Sequence, residues 1–251
     1  INRVIEQYAK QDNLDIRVKL HKKYSKNKLG FNNWIFSNYQ ITDEINVLEL
    51  GCGTGELWKS NLDSIDKMKQ LVITDFSSDM VETTRAVIGN RDNVNYEIMD
   101  IQNVSFEKET FDIVIANMLL HHVNDIPKAL SEVNRVLKNG GIFYCATFGE
   151  NGVVDYLASL FKDEVVQDLE NKTFTLQNGE TYLNRHFDTV EKLIYDDELQ
   201  DLVQYIQSLK GISEIGSLEE GIIRKRLERE FNNGVLVIPK EYGMFIARKE
   251  N

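Results

Sequence analysis

Three carboxylates in the first half of the 251-residue chain lie in or just after apolar stretches rich in β-branched residues. Glu49 lies within residues 45–50, Asp75 ends 70–75 and Asp100 ends 93–100. Each stretch predicts a buried strand. The 24 residues between Gly51 and Asp75 are typical of a parallel neighbour reached through a crossover helix. Because parallel sheets bind ligands at the carboxyl ends of their strands, we expect the three carboxylates to share a rim.

The chemistry of these groups depends on the glycines between them. Gly51, Gly53 and Gly55 alternate along a turn that leads into a helix beginning near residue 56. Glycines let a ligand approach the main chain, and the helix start presents free N–H groups. The third glycine of a dinucleotide fingerprint falls on Glu56, which opposes a pyrophosphate and leaves a nicotinamide-dependent dehydrogenase as a remote alternative. An ordinary tight turn also remains open, as does a helix-capping role for Asp75 through Ser77 and Ser78.

The pattern Glu-x-Gly-x-Gly-x-Gly resembles the first motif of class I S-adenosylmethionine (SAM)-dependent methyltransferases. Residues 74–80 resemble the second motif, and residues 135–141 resemble the turn before the fifth strand of that family. Residues 111–123, with Leu120-His121-His122-Val123, resemble methyltransferases related to ubiquinone/menaquinone biosynthesis. The resemblance spans about 45–148, with motifs in the family's order and spacing.

The resemblance implies SAM as cofactor, S-adenosylhomocysteine as product, and roles for individual residues. The amino-acid and ribose end of SAM would be held by Glu49, Gly51, Gly53 and Gly55, and the ribose hydroxyls would be bound by Asp75. The adenine ring would lie between Phe76 and Met80, and its edge would be bound by Asp100 and the Ile101 N–H. Asn117 and Met118 would line the site, and Tyr24 and Trp34 would cover it. His121 or His122 would act as a general base, since the pKa of histidine lies near neutrality, or would only orient its loop. No His or Cys spacing indicates a metal site.

The predicted fold is α/β: a Rossmann-like seven-stranded sheet, mostly parallel with an antiparallel last strand, with helices on both faces and a helical lid. We expect a single methyltransferase domain over 1–251. Its core would comprise 41–148 and C-terminal strands at about 187–199 and 235–249, the latter forming a closing hairpin from 235–240 and 242–248. Residues 1–40 would form an N-terminal helical cover. Two insertions, 149–186 and 201–233, would form a lid over the substrate.

Composition restricts the partners. A net charge of −11 argues against nucleic acid, and a small-molecule substrate is the leading prediction. Residues 17–28 carry six basic and no acidic side chains, which predicts either a solvated helix face or a patch for an anionic group. An RNA or protein methyltransferase using that patch, and a non-catalytic module that binds an adenosyl ligand, remain alternatives.

The remaining expectations concern location and substrate identity. No apolar run has membrane-spanning length, and no signal-peptide pattern is present. The two cysteines, Cys52 and Cys145, lie in apolar strand-like contexts, which favours a reducing compartment, with the cytoplasm as the default. The acceptor atom and the oligomeric state are not predicted.

Overall fold

The structure is a computed structural model that describes residues 23, 25–152, 156, 159–161, 172–199, 203, 206, 218–228, 238–239 and 241–250. The chain divides into two compact units. One comprises 31–148, 172–194 and 243–251, and the other comprises 1–30, 149–171 and 195–242. No helix among the described residues combines the length and the apolar character needed to cross a membrane.

The described strands and helices follow one another in an alternating α/β order. The strands are β1 (Asn46–Leu50), β2 (Gln70–Asp75), β3 (Val94–Ile98), β4 (Phe111–Ile115), β5 (Leu137–Phe148), β6 (Thr189–Tyr195), β7 (Glu198–Leu199), β8 (Ile238–Pro239) and β9 (Tyr242–Arg248). The helices are α1 (Phe31–Ser37), α2 (Glu56–Lys59), α3 (Leu62–Ile65), α4 (Ser78–Ile88), α5 (Ile126–Val136), α6 (Gly179–Leu183) and α7 (Glu220–Glu228), with a 3₁₀ turn at Leu120–His122.

Seven strands form one sheet in the order β3-β2-β1-β4-β5-β9-β6. The first five pair in parallel. Hydrogen bonds show that strand β9 runs antiparallel to β5. The Gly140 N–H donates to the Lys249 carbonyl, and the Lys249 N–H donates to the Gly141 carbonyl. The predicted Rossmann-like sheet with an antiparallel last strand is therefore confirmed.

Apolar layers cover both faces of the sheet, as buried parallel strands require. One layer packs α5 and α6 against β4, β5 and β9, and includes Leu130, Phe143 and Phe245. The other contains Trp58 and Tyr144, with the residues of α1 packed against it. These layers fix the strands whose ends form the candidate site.

The C-terminal part departs from the predicted arrangement. Ile238 and Pro239 pair with Leu199 and Glu198 in a separate two-stranded sheet, so the predicted hairpin with 242–248 is wrong over these residues. Residues 172–194 belong to the unit that holds the seven-stranded sheet, and Phe174 and Leu183 lie in its core. The last part of the expected 149–186 lid thus packs against the sheet. The single-domain boundaries stay a prediction.

Candidate functional site

The register of the parallel strands brings the predicted site residues to one rim. Glu49 pairs with Ile73 on one side and Ile115 on the other. Asp75, Gly51 and Asn117 each follow two residues after Ile73, Glu49 and Ile115, respectively. They therefore lie at the carboxyl ends of β2, β1 and β4. Polar groups and a glycine therefore meet at the edge where parallel sheets bind ligands.

The glycine loop has the left-handed backbone that its sequence predicts. Gly51, Gly53 and Gly55 have φ values of 78°, 54° and 76°. A Cβ on Gly55 would lie 2.9 Å from the Thr84 side chain, whereas a Cβ on Gly53 would meet no atom of the described residues within 4 Å. Gly55 is thus required by packing against α4. Gly53 borders open space, where a ligand can contact the main chain.

Glu49 is almost fully buried, with 3% of its surface exposed. Its carboxylate accepts a 2.7 Å hydrogen bond from Trp58 Nε1, on the helix that follows the glycine loop. Burial raises the pKa of Glu49 to about 7, the Trp58 bond opposes the rise, and the charge of Asp75 adds to it. A carboxylate in this position gains from a cation placed beside it.

Asp75 joins the glycine loop to the turn after β2. Its carboxylate accepts hydrogen bonds from the Gly53 N–H at 3.0 Å and the Ser77 N–H at 2.9 Å. Helix α4 is capped by the Ser77 side chain, which accepts from the Met80 N–H, so Asp75 is not its N-cap residue. Burial raises the pKa of Asp75, and the backbone bonds oppose that rise.

The residues expected around an adenine ring follow β2 and β3. Phe76 is 50% exposed, whereas Met80 and Ile101 are buried. Asp100 accepts a 2.8 Å hydrogen bond from the Gln102 N–H, which forms a turn just beyond β3. The exposed face of Phe76 is an apolar surface on which a flat ring can stack.

Asn117 is fixed from two sides, and one of its partners was not predicted. Its Oδ1 accepts from the Ala146 N–H at 3.1 Å, and its Nδ2 donates to Tyr39 Oη at 2.6 Å. Met118, next in the chain, has a positive φ of 50°. Non-glycine residues seldom adopt this conformation, and Glu44 and Glu109 also adopt it in the turns before β1 and β4, so the φ of Met118 does not by itself indicate a site.

The two adjacent histidines differ in environment. His121 is buried, and its Nδ1 has no hydrogen-bond partner among the described residues. Its ring lies 3.9 Å from that of His122 and 4.7 Å from that of Phe148, between centroids. Burial lowers the pKa of His121 to about 3, with His122 contributing, and burial also lowers the pKa of His122. His121 is therefore neutral near pH 7.

The predicted aromatic cover is described only in part. Tyr24 lies outside the described residues. Trp34 is half-buried and stacks on Phe31 with a centroid distance of 5.9 Å, within α1. The contacts that reach the rim instead come from Tyr39 and Trp58. The aromatic-rich composition of 31–39 was the only sequence signal for Tyr39, and packing was its expected role.

Among the described residues, no cluster of three His, Cys, Asp or Glu side chains is arranged to hold a metal ion. The polar groups at the rim are carboxylates, an amide and a phenol. They match an organic ligand that carries hydroxyl and ammonium groups.

Comparison with known proteins agrees with this geometry. Residues 48–145 match the Methyltransf_11 family, described as a methyltransferase domain. A demethylmenaquinone methyltransferase of Leptospira interrogans is 26% identical over 219 residues, covering 78% of this chain and 83% of that protein. A malonyl-[acyl-carrier protein] O-methyltransferase of Ilyobacter polytropus is 24% identical over 177 residues, covering 70% of this chain and 65% of that protein.

A solved structure shares the fold over the full length of both chains. It is a SAM-dependent methyltransferase of Thermotoga maritima, described as a possible histamine N-methyltransferase, with 15% identity and a TM-score of 0.61. This likeness shows a Rossmann-like fold. The family match and the relatives support a class I SAM-dependent methyltransferase of the group related to the ubiquinone/menaquinone enzymes, with SAM as its cofactor.

Proposed function

We propose that the enzyme transfers a methyl group from SAM to a small-molecule acceptor, at an oxygen, a nitrogen or an activated carbon. One observation carries this proposal. The Gly53 N–H donates a hydrogen bond to Asp75 where the main chain is open to a ligand, and the buried Glu49 lies at the same rim. We infer that this arrangement holds the ribose and the amino-acid end of the cofactor.

The binding roles follow from charge and exposure. Glu49 pairs with the ammonium group, because a buried carboxylate with a raised pKa gains most from a neighbouring cation. Asp75 accepts from the ribose hydroxyls, while its backbone partners hold its orientation. Phe76 and Met80 flank the adenine ring, and Asp100 with the Ile101 N–H binds its edge.

When bound, SAM supplies a methyl group already activated by a positively charged sulfur. The residues of this chain therefore have to align the acceptor for in-line attack and exclude water. Met118 and Asn117 define the wall at the end of β4. An oxygen acceptor also needs a proton acceptor, and His122 suits this role better than His121, whose pKa near 3 makes it a weak base.

The small-molecule acceptor is supported by the composition and by the relatives. A net charge of −11 opposes an extended polyanion. Two of the relatives are named for methylation of demethylmenaquinone and of malonyl-[acyl-carrier protein]. The malonyl group is small although its carrier is a protein, so the acceptor panel should include carrier-bound acyl groups.

Calorimetry with SAM and S-adenosylhomocysteine, followed by a methyl-release assay over a metabolite panel, tests the proposal. We expect both ligands to bind and at least one small acceptor to be methylated. Turnover of a quinone, phenol or carboxylate would define the acceptor class. Failure to bind either adenosyl ligand would refute the proposal at its first step. Binding of both with turnover only on RNA or on the amino-acid side chains of a protein would refute the small-molecule part.

A further inference from the structure

Tyr39 reaches the rim from outside the glycine-loop motifs. It follows α1, and its hydroxyl contacts Asn117 just beyond β4. Its ring packs on Tyr144 with a centroid distance of 4.7 Å. Tyr144 pairs with Ile115, which in turn pairs with Glu49, so these three residues occupy one row across the sheet. In-register neighbours of parallel strands project from the same face, which places Tyr39 on the face that carries Glu49.

A second set of contacts connects the same segment to Glu49. Phe36, at the end of α1, packs edge-on against Tyr39 at 5.6 Å and against Trp58 at 5.9 Å, between ring centroids. Trp58 in turn donates to the Glu49 carboxylate. The segment from Phe36 to Tyr39 is therefore fixed relative to both Glu49 and Asn117.

The hydrogen bonds of Asn117 determine what the Tyr39 hydroxyl can still do. The Ala146 N–H requires an acceptor, so it fixes Oδ1 of Asn117 on that side. The Nδ2 group then faces Tyr39, and Tyr39 Oη must accept from it. The O–H proton of Tyr39 has no acceptor among the described residues. A phenol that already accepts one bond retains one donor for a ligand.

We propose that Tyr39 is a cofactor-binding residue, which donates its hydroxyl proton to the carboxylate of the amino-acid end of SAM. This inference rests on the proposed role of Glu49 at that end. The amino-acid end carries an ammonium and a carboxylate on one carbon, so the partner of the carboxylate must lie beside Glu49. The acidic groups of the rim repel a carboxylate, and a neutral donor held on the same face satisfies it.

The protonation state of Tyr39 agrees with a donor role. Burial raises the pKa of Tyr39 well above its usual range, and the charge of Glu49 adds to the rise, although the Asn117 bond opposes it. The phenol therefore keeps its proton throughout the physiological pH range.

The test compares two ligands that differ only in the carboxylate: S-adenosylhomocysteine and its decarboxylated form, S-adenosyl-3-thiopropylamine. Each is titrated calorimetrically into the wild-type chain and into Tyr39→Phe. We expect the wild type to prefer S-adenosylhomocysteine by about tenfold or more, the effect of one hydrogen bond to a charged group. In Tyr39→Phe this preference should be lost, because only the affinity for S-adenosylhomocysteine falls.

The control variant is Tyr96→Phe, which removes a tyrosine hydroxyl that donates at 2.7 Å to the carbonyl of Gly89, the residue that caps the C-terminus of α4. It should retain the ligand preference of the wild type. An equal loss for both ligands in Tyr39→Phe would reduce Tyr39 to a support for Asn117 and overturn the inference. An unchanged preference would overturn it as well. A wild-type chain that binds neither ligand would instead refute the proposed function, and this inference with it.

Discussion

Glu49 shows how one buried side chain links binding to pH. Its pKa of about 7 reflects a carboxylate held away from water with a single described neutral partner, Trp58. A bound cation favours the ionised form, so binding below pH 7 must release a proton. The cofactor site is therefore expected to be sensitive to pH in a range where most carboxylates are not.

We predict that the affinity for S-adenosylhomocysteine rises between pH 5.5 and about 7 and levels off above that. The slope should approach tenfold per pH unit, or about 1.4 kcal/mol. Calorimetry in buffers of different ionisation enthalpy measures both the affinity and the released proton. Glu49→Gln, whose amide oxygen can still accept from Trp58, should bind more weakly and lose this pH dependence. A wild-type affinity that is flat over this range would refute the pairing with the ammonium group.

Glu49→Gln, which should weaken cofactor binding, should increase the stability of the unliganded fold. A carboxylate whose folded-state pKa is raised above its unfolded value destabilises the fold as pH rises from about 4.5 through 7, because the folded state must then hold a buried charge. Unliganded Glu49→Gln is therefore expected to unfold at higher urea concentration than the wild type at pH 8, with the difference vanishing near pH 4. Equal midpoints at pH 8 would show that burial of the charge costs little.

Substitution of His122 and of His121 should affect different properties, turnover and stability respectively. His122→Ala is expected to lower the turnover of an oxygen acceptor by about a hundredfold, the lower range for a general base. Activity of the wild type should fall only at a pH lower than 6.5, where His122 becomes protonated, because burial lowers the pKa of His122 from that value. His121→Ala should chiefly lower stability, since it leaves a cavity beside Phe148. Retention of full turnover by His122→Ala, with stability unchanged, would remove the base from the mechanism.

At the level of elements, the glycine loop and the strand ends were predictable from sequence. Alternating glycines after an apolar run require a left-handed turn, and the spacing to Asp75 fits one crossover. The partners of Glu49 and Asn117 were not predictable. Trp58 and Tyr39 reach Glu49 and Asn117 through packing against the sheet, and local sequence contains no signal for such contacts. The pairing of Ile238 with Leu199 was missed for a related reason, because strand propensity does not specify the partner strand.

Two glycines of the loop should respond differently to alanine. Both Gly53 and Gly55 have positive φ, which costs an alanine about 1–2 kcal/mol. Gly55→Ala also forces a Cβ to within 2.9 Å of the Thr84 side chain and should lower the free energy of unfolding further. Gly53→Ala meets no protein atom, so its main effect should be loss of cofactor affinity. Urea unfolding and calorimetry compare the two, and equal binding by Gly53→Ala and wild type would place the ligand elsewhere.

At the scale of the whole molecule, the site belongs to one of two compact units, the one that contains the seven-stranded sheet. All of the described rim residues come from 31–148. The family match falls within the same range, whereas the C-terminal segments differ from the predicted arrangement. The predicted cofactor site thus lies in the part of the chain that carries the family's motifs. We expect the choice of acceptor to depend on the segments outside 45–148, whose sequence has no comparable motif.

Ligand binding to this unit should therefore stabilise it against heat. A ligand at a hundred times its dissociation constant adds about 2.7 kcal/mol to the free energy of unfolding. For a chain of about 250 residues this raises the melting temperature by about 5 °C or more. Differential scanning fluorimetry with S-adenosylhomocysteine should show this shift, and NAD at the same concentration should not, because Glu56 occupies the third glycine position of a dinucleotide loop. A shift with NAD alone would favour the dehydrogenase alternative over methyl transfer.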